Sequence, residues 1–180
     1  MSTTTETRAL SGTWNLDPVH SSVGFEIGYL AGTFKGEFHE LAGQLTVEGE
    51  RGRLEGAAQV ASIDVKDENL NAHLQSPDFF DAERHPELRF TAEAFDVTGT
   101  DLATGGEITI RGESRPVEVT GTIGAPLADP YGNERVGIEL TAKVDRTLFG
   151  VNWNTPLPSG EPALADDVRI VADLQLVRPA

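Results

Sequence analysis

The sequence contains no cysteine, which excludes disulfide bonds, a thiolate nucleophile and any zinc site with sulfur ligands. It also has no hydrophobic run near the roughly 20 residues that a membrane-spanning helix needs, so we expect no membrane insertion. Neither G-x-G-x-x-G nor the P-loop pattern occurs, so a glycine-rich phosphate cradle is excluded as well. The lack of cysteine does not by itself identify the compartment.

Basic residues are scarce: 14 lysines and arginines stand against 29 acidic residues, for a net charge of −15. This balance argues against a nucleic-acid partner, because lysine and arginine drive binding to phosphates. Acidic and basic residues are mixed along the chain, which is typical of a solubilising surface. No cofactor is indicated, and a hydrophobic small molecule is the partner we expect, with a homodimer left open.

The first eleven residues are polar and rich in threonine, and we expect them to form a disordered tail before a single domain over residues 12–180. They contain no apolar core of the kind that a secretory leader has. We therefore expect a cytoplasmic protein.

Apolar and polar residues alternate in about eight runs, the pattern of strands that bury one face. The runs cover residues 22–29, 40–49, 53–63, 87–98, 105–112, 117–123, 136–144 and 168–176. Turn sequences rich in glycine, aspartate and asparagine separate several of them. Short links between such runs predict an all-β, antiparallel fold, either a barrel or a sandwich. We favour an eight-stranded barrel, because long tilted strands suit closure and can enclose one small ligand.

The segment Asp67–Phe90 breaks the alternation. Leu70, His73 and Leu74 have helical spacing, and the adjacent Phe79 and Phe80 follow in a turn-rich run. A short helical insert in a barrel is a candidate lid or ligand mouth, since irregular segments often carry function. The two phenylalanines could plug the barrel end or line its entrance.

Small residues recur on the predicted inner faces, and they allow two interpretations. They are Ala58, Ala92, Ala94, Gly121, Ala142 and Ala172. They could leave volume for a ligand, or they could accommodate Phe25, Phe90 and Trp153 in a close-packed core. The sequence leaves both open.

Asp17, His20 and Ser21 suggest a hydrolytic triad, but adjacent residues of a strand point to opposite faces. His20 is therefore poorly placed to activate Ser21, and no G-x-S-x-G elbow occurs. We expect Asp17 to lie in a turn and His20 to make a structural hydrogen bond.

A metal site is not indicated by the spacing of the four histidines, which shows neither H-x-H nor H-x-x-x-H. Residues 129–134 superficially resemble a calcium loop but lack its ligand period and terminal glutamate. A hairpin turn is the better interpretation there.

Six motifs in order give the sequence a resemblance to the YceI family of polyisoprenoid-binding, lipocalin-like proteins. They are WNLDPVHSSVGF (Trp14–Phe25), FKGEF (Phe34–Phe38), NAHLQSPDFFD (Asn71–Asp81), HPELRF (His85–Phe90), IRGESRPV (Ile110–Val117) and RTLFGV (Arg146–Val151). The resemblance implies a lipocalin-like barrel whose central tunnel holds a long isoprenoid lipid or a quinone-like ligand. The insert would then lie near the entrance.

The resemblance also implies a set of ligand-binding residues. Carried over by motif, they are His20, Phe25, Asn71, His73, Phe79, Phe80, Arg146 and Phe149. Tyr29 stands where many members have a histidine after the first strand, and it could still donate a hydrogen bond. Phe90 and Trp153 complete the set as further interior aromatic residues.

Two other function classes stay open. A small hydrolase or isomerase could use His20 or His73 with a nearby carboxylate on a lipid-like substrate. A fully packed barrel could instead serve as an interaction module, with an exposed apolar patch. We expect a binding protein without catalytic residues.

Overall fold

A computed structural model describes residues 10–179 of the chain. It contains twelve strand segments and a short helix, α1. The strands are β1 (Gly12–Leu16), β2 (Ser22–Tyr29), β3 (Gly32–Phe38), β4 (Leu41–Glu48), β5 (Arg51–Gln59), β6 (Ile63–Asp64), β7 (Glu87–Asp96), β8 (Asp101–Ile110), β9 (Glu113–Ile123), β10 (Leu127–Ala128), β11 (Asn133–Asp145) and β12 (Leu164–Pro179). Helix α1 spans Glu68–Gln75. Within residues 10–179, no helix is both long and apolar enough to cross a membrane.

Eight strands close into an antiparallel ring in the order β1–β4–β5–β7–β8–β9–β11–β12, and β12 returns to β1. Three further segments lengthen the first strands of the ring. β2 continues β1 beside β12, β3 leads into β4 beside β2, and β6 continues β5 beside β3. The predicted eight-stranded barrel with a helical insert is therefore confirmed.

The alternation read from the sequence matches the observed inner face of β11, whereas Ala94 of β7, predicted on an inner face, is exposed. In β11, Val136, Ile138, Leu140 and Val144 are buried, and the intervening Gly137 and Glu139 are exposed. β11 and β12 pair without a break, from Asn133 opposite Pro179 to Asp145 opposite Asp167. This is the longest strand pairing of the barrel. A one-residue slip would turn every apolar side chain outward, so the pattern itself fixes this register.

One end of the barrel is filled by fully buried side chains, which we call the closed layer: Trp14, Leu45, Val136 and Ile138. The indole N–H of Trp14 donates to the Leu10 carbonyl at 2.8 Å, and the Arg178 guanidinium lies 4.2 Å from the centre of the Trp14 ring. This layer is therefore held by polar contacts as well as by packing.

Leu10, which lies within the predicted tail of residues 1–11, is only 4% exposed and packs into the core. Residues 1–9 lie outside the described part of the chain, so the prediction for them stays a prediction. The predicted turn at residues 129–133 is observed: the Asp129 carboxylate accepts from the backbone N–H groups of Tyr131 and Asn133.

A polar network ties the interruption between β1 and β2 to β11. The Asp17 carboxylate accepts from the Arg135 guanidinium at 2.7 Å, and Arg135 also donates to Asp129 at 2.9 Å. The hydrogen bond from Arg135 lowers the pKa of Asp17 to about 2; His20, with its Nδ1 2.7 Å from Asp17, acts in the same direction. Burial partly opposes this shift.

This network gives the stability of the barrel a specific pH dependence. The pKa of Asp17 is lower in the folded chain than the unfolded value near 4. The stabilisation of the fold by the ionised Asp17 carboxylate is therefore fully present above about pH 4. It is lost as the pH falls from about 4 towards 2. We expect Asp17→Asn to lower the free energy of unfolding by about 1–2 kcal/mol at pH 7, after allowance for solvent screening.

Urea unfolding of both proteins between pH 7 and pH 2.5 measures this effect, and the difference should shrink below pH 4. Asp101→Asn removes the same charge from an exposed position and is the control. A loss that is equal at pH 7 and pH 2.5, or equal to that of Asp101→Asn, would contradict the assignment.

Candidate functional site

The barrel encloses a cavity of about 330 Å³ between the closed layer and α1. Its wall is formed mainly by the apolar inward faces of the strands. The apolar side chains that border it include Leu41, Ala58, Leu88, Ile108, Val117, Val119, Leu140, Ala142, Ile170 and Ala172. The interior is therefore open, and the close-packed alternative does not hold.

Two glycines explain why large rings leave this space free. An added Cβ at Gly36 of β3 would come within 2.7 Å of the Phe25 ring, and one at Gly106 of β8 within 2.9 Å of the Phe90 ring. Each ring thus lies against the wall, in the space that a side chain on the neighbouring strand would need. The small residues keep the rings flat against the sheet, and the centre of the barrel stays empty.

Helix α1 covers the end of the barrel opposite the closed layer. Asp67 caps its N-terminus by accepting from the Leu70 N–H at 3.0 Å, and the Asn71 side chain donates to the Ile63 carbonyl at 2.7 Å. With the helix held this way, Leu70, His73 and Leu74 border the cavity. The helical spacing read from the sequence is confirmed.

Phe79 and Phe80 both border the cavity, although they are adjacent in sequence. The Phe79 ring lies 5.4 Å from Trp153, and the Phe80 ring lies 5.8 Å from Phe38 and 6.4 Å from Phe25. The irregular backbone after α1 lets the two rings pack onto different parts of the same wall. They close part of the barrel end and line the cavity at once.

The cavity approaches the surface beside α1, at a place that we call the mouth: Tyr29, His73 and Trp153. All three are partly exposed, and the His73 side chain is 33% exposed. The His73 ring stands edge-on to Trp153 with centroids 5.1 Å apart, and its Nε2 lies 2.9 Å from an Asp78 carboxylate oxygen. The mouth thus combines aromatic surface with a few polar atoms.

Arg146 is 5% exposed and holds the loop beside the mouth. Its Nε donates to the Ala165 carbonyl at 2.8 Å, and one Nη donates to the carbonyls of Val151 and Trp153 at 2.7 and 2.9 Å. Burial lowers the pKa of Arg146, and the carboxylate of Asp166, 3.7 Å from the other Nη, partly offsets this effect. The guanidinium therefore positions Trp153 more than it offers charge to a ligand.

Among the described residues, Arg89 and Arg146 are the basic residues that border the cavity. Arg89 is exposed and lies 2.6 Å from a Glu87 carboxylate oxygen, so it is paired too. The cavity wall consequently offers no uncommitted cation within residues 10–179.

Nine of the eleven predicted ligand contacts border the cavity. They are Phe25, Tyr29, His73, Phe79, Phe80, Phe90, Arg146, Phe149 and Trp153. His20 and Asn71 do not: the His20 side chain is 57% exposed and pairs with Asp17, and Asn71 anchors α1. We leave both out of the candidate site. Contact of the nine with a ligand stays a prediction.

Residue spacing carries a usable signal for cavity residues that we did not predict as ligand contacts. Phe34, Gly36 and Phe38 alternate with polar residues in β3, and both phenylalanines border the cavity. Leu70 and Leu74 share the inner face of α1 with His73. Period-two and helical spacing would have identified all four.

The suspected triad does not form. The Ser21 hydroxyl donates to the Gln175 carbonyl at 3.3 Å and accepts from the Gln175 N–H at 2.9 Å, and His20 is paired with Asp17. In the part of the chain that the structure describes, no three histidine, cysteine or acidic residues are grouped to hold a metal ion.

A closed antiparallel barrel around an apolar cavity is the architecture of β-barrels that can enclose a small ligand. Comparison with protein families narrows the class further. The model of the YceI-like domain matches residues 14–176, and the chain belongs to this family. The four residues of the closed layer are fully buried and do not border the cavity.

Relatives with low sequence identity match most of the length of this chain. A UPF0312 protein of Staphylococcus aureus is 28% identical over 172 residues, which cover 90% of this chain and 95% of the relative. A UPF0312 protein of Photorhabdus laumondii is 27% identical over 142 residues, which cover 76% and 74%.

Solved structures share the fold at low sequence identity. BcnA of Burkholderia cenocepacia matches with a TM-score of 0.76 at 23% identity, covering 89% of this chain and 98% of that one. A polyisoprenoid binding domain from Saccharophagus degradans, implicated in plant cell wall breakdown, matches with a TM-score of 0.69 at 12% identity, covering 92% and 98%.

Proposed function

We propose that the protein binds an isoprenoid or similar single-chain lipid in its cavity, for carriage, storage or sequestration, without catalysing a reaction. The observation that carries the proposal is the apolar cavity of about 330 Å³, which is bordered at the mouth by the partly exposed Tyr29, His73 and Trp153. Family membership and the described ligand class of the Saccharophagus domain support the isoprenoid class. A cytoplasmic site of action stays a prediction.

Binding follows from partition of the ligand chain out of water. Each methylene buried in an apolar environment contributes about 0.8 kcal/mol, before the entropy lost by holding the chain. Phe25, Phe80 and Phe90 give the ligand a preformed surface, because their rings already lie against the wall. A preformed cavity keeps the ordering cost on the protein side small.

The head group is uncharged in this proposal, such as an alcohol, a quinone or an amide. Arg89 and Arg146 are already paired, and the net charge of −15 disfavours an anion at long range. Tyr29 and His73 supply polar atoms at the mouth, where a neutral head could hydrogen-bond.

Catalysis by His73 is the alternative that the structure favours less. Asp78 pairs with His73, as a base and its orienting carboxylate would. The rings that pack on His73 are Phe79 and Trp153, which offer neither a nucleophile nor a second acid. We therefore assign His73 to the mouth.

Farnesol and farnesyl diphosphate test both the cavity and the head group. We expect farnesol to bind and to change the tryptophan fluorescence, with an affinity at least tenfold higher than that of the diphosphate. Trp153→Phe should lose the signal and keep the binding heat, because Trp14 lies in the closed layer away from the ligand.

Native mass spectrometry of the purified protein, followed by organic extraction, identifies any lipid that co-purifies. Absence of farnesol binding by both fluorescence and calorimetry would refute the proposed function. Tighter binding of the diphosphate would refute the neutral head group alone.

A further inference from the structure

We propose that Gly36 of β3 is a specificity-determining residue, which gives the cavity the width that a methyl-branched chain requires. This role rests on the proposed function and adds to it a residue that separates branched from unbranched chains. Gly36 does not border the cavity. It is a positioning residue that acts through Phe25, its partner across the β2–β3 ladder.

The Phe25 ring occupies the space that a side chain at position 36 would need. An added Cβ at Gly36 would lie 2.7 Å from two carbon atoms of the ring. Carbon atoms in ordinary contact are about 3.5–4.0 Å apart, so the edge of the ring would have to retreat by about 1 Å if alanine replaced the glycine. The φ angle of Gly36 does not lie in the left-handed region, so the backbone itself accepts alanine.

Neighbouring side chains direct the displaced ring into the cavity. Phe34 and Phe38 flank Gly36 on the inner face of β3, and their ring centroids lie 6.0 and 6.1 Å from that of Phe25. On the other side, Ile170 lies opposite Phe25 across the β2–β12 ladder. Because Phe25 borders the cavity, a ring that moves away from Gly36 narrows it.

A methyl-branched chain is the ligand that this narrowing affects most. An isoprenoid carries methyl groups at regular intervals along its main chain, so it needs more width than an unbranched chain of the same length. Each methyl group that loses its place in the apolar cavity weakens binding about fourfold. An unbranched chain takes up less width and should lose less affinity.

Two other phenylalanine rings lie over glycines, and they show what is particular to Gly36. An added Cβ at Gly52 would come within 2.8 Å of the Phe95 ring, but neither of these residues borders the cavity. An added Cβ at Gly106 would meet the Phe90 ring and also lie 2.7 Å from a backbone carbonyl oxygen. At Gly36 the three nearest atoms all belong to side chains, and the displaced ring faces the cavity.

Dodecanol and hexahydrofarnesol, the fully saturated form of farnesol, test this role because they differ only in their methyl branches. Calorimetry measures the affinity of both alcohols for the unaltered protein and for Gly36→Ala. We expect Gly36→Ala to weaken hexahydrofarnesol binding at least tenfold, the equivalent of about two lost methyl groups, and dodecanol binding less than threefold. Gly52→Ala is the matched control, because it displaces a ring away from the cavity, and it should leave both affinities unchanged.

Phe25→Leu, introduced into Gly36→Ala, removes the ring that the new methyl group displaces. This double variant should bind hexahydrofarnesol more tightly than Gly36→Ala does, a recovery that a merely structural defect at position 36 would not show. If Gly36→Ala does not fold, Phe25→Trp narrows the cavity from the same side and should also weaken the branched alcohol more than dodecanol.

The outcomes separate the two proposals. If neither these alcohols nor farnesol bind to the unaltered protein, the proposed function fails and the role of Gly36 fails with it. If both alcohols bind and Gly36→Ala weakens them equally or leaves both unchanged, only the role of Gly36 is refuted. It is refuted in the same way if the double variant shows no recovery, or if Gly52→Ala discriminates between the alcohols as strongly as Gly36→Ala.

Discussion

Replacing Ala142 with leucine should reduce ligand affinity at least tenfold and leave the barrel folded. Ala142 faces the cavity from β11, between Val119 of β9 and Ile170 of β12. The change adds three carbons, which occupy about 90 Å³ at roughly 30 Å³ each, more than a quarter of the cavity of about 330 Å³. Lost burial of three methylene equivalents corresponds to about 2.4 kcal/mol at about 0.8 kcal/mol each.

The stability of the Ala142→Leu variant should increase, although its ligand affinity falls. The new side chain would fill space that is empty without ligand, and cavity filling commonly raises the free energy of unfolding by about 0.5–2 kcal/mol. Farnesol titration and urea unfolding of the same protein measure the two effects together. A loss of binding with a loss of stability would indicate misfolding instead of a blocked cavity.

Ala103→Leu provides the control for this variant. Ala103 is an exposed residue of β8 and does not border the cavity, so the same enlargement there should leave the affinity unchanged. Undiminished farnesol binding by Ala142→Leu would show that the ligand lies elsewhere.

Gly121→Ala adds a single methyl group and should lower the free energy of unfolding by about 3 kcal/mol or more. A Cβ at Gly121 of β9 would overlap the Glu139 carbonyl oxygen of β11 and lie 3.0 Å from the Leu140 Cα. Both obstacles are backbone atoms, which cannot rotate away as a side chain can.

The position of Gly121 makes this overlap serious. β9 and β11 pair from Val119, opposite Ala142, to Ile123, opposite Ile138, and this short ladder joins the early strands of the ring to the last two. If the strands must separate there, the barrel opens and its interior is wetted.

Gly137→Ala is a suitable comparison for urea or thermal unfolding. Gly137 lies on β11, and an added Cβ there meets nothing within 4 Å. Its effect should stay within about 0.5 kcal/mol, as is usual for surface substitutions. Similar unfolding of the two variants would contradict a special role for the β9–β11 seam.

Periodicity predicted the barrel because alternation records which side of a strand meets water. Val136, Ile138 and Leu140 show this directly, and the spacing of Leu70, His73 and Leu74 identified α1 in the same way. These are local signals, which require no knowledge of the partner strand.

The open interior could not be predicted, because it depends on pairs that are distant in sequence. Whether Phe25 fills the centre or lies against the wall is decided by Gly36 on the next strand, and the same holds for Phe90 and Gly106. The sequence shows each residue but not the cross-strand pairing that brings the ring over the glycine.

Polar site residues were predicted less well than apolar ones, because local hydrogen bonds commit them to other roles. Asp17 draws His20 to the outer surface, Asn71 anchors the helix to Ile63, and Arg146 is occupied by backbone carbonyls. A motif identifies the residue type, but it does not show which neighbouring group already forms a hydrogen bond with that residue.

The first and last strands of the ring meet each other, since β1 pairs with β12. During synthesis, the growing chain has no partner for β1 at that edge until Leu176 and Val177 have left the ribosome. Up to that moment the molecule is an open sheet that has no interior. Contacts of such long sequence separation also form slowly. A ligand could therefore enter an enclosed cavity only after β12 has paired with β1 and closed the ring.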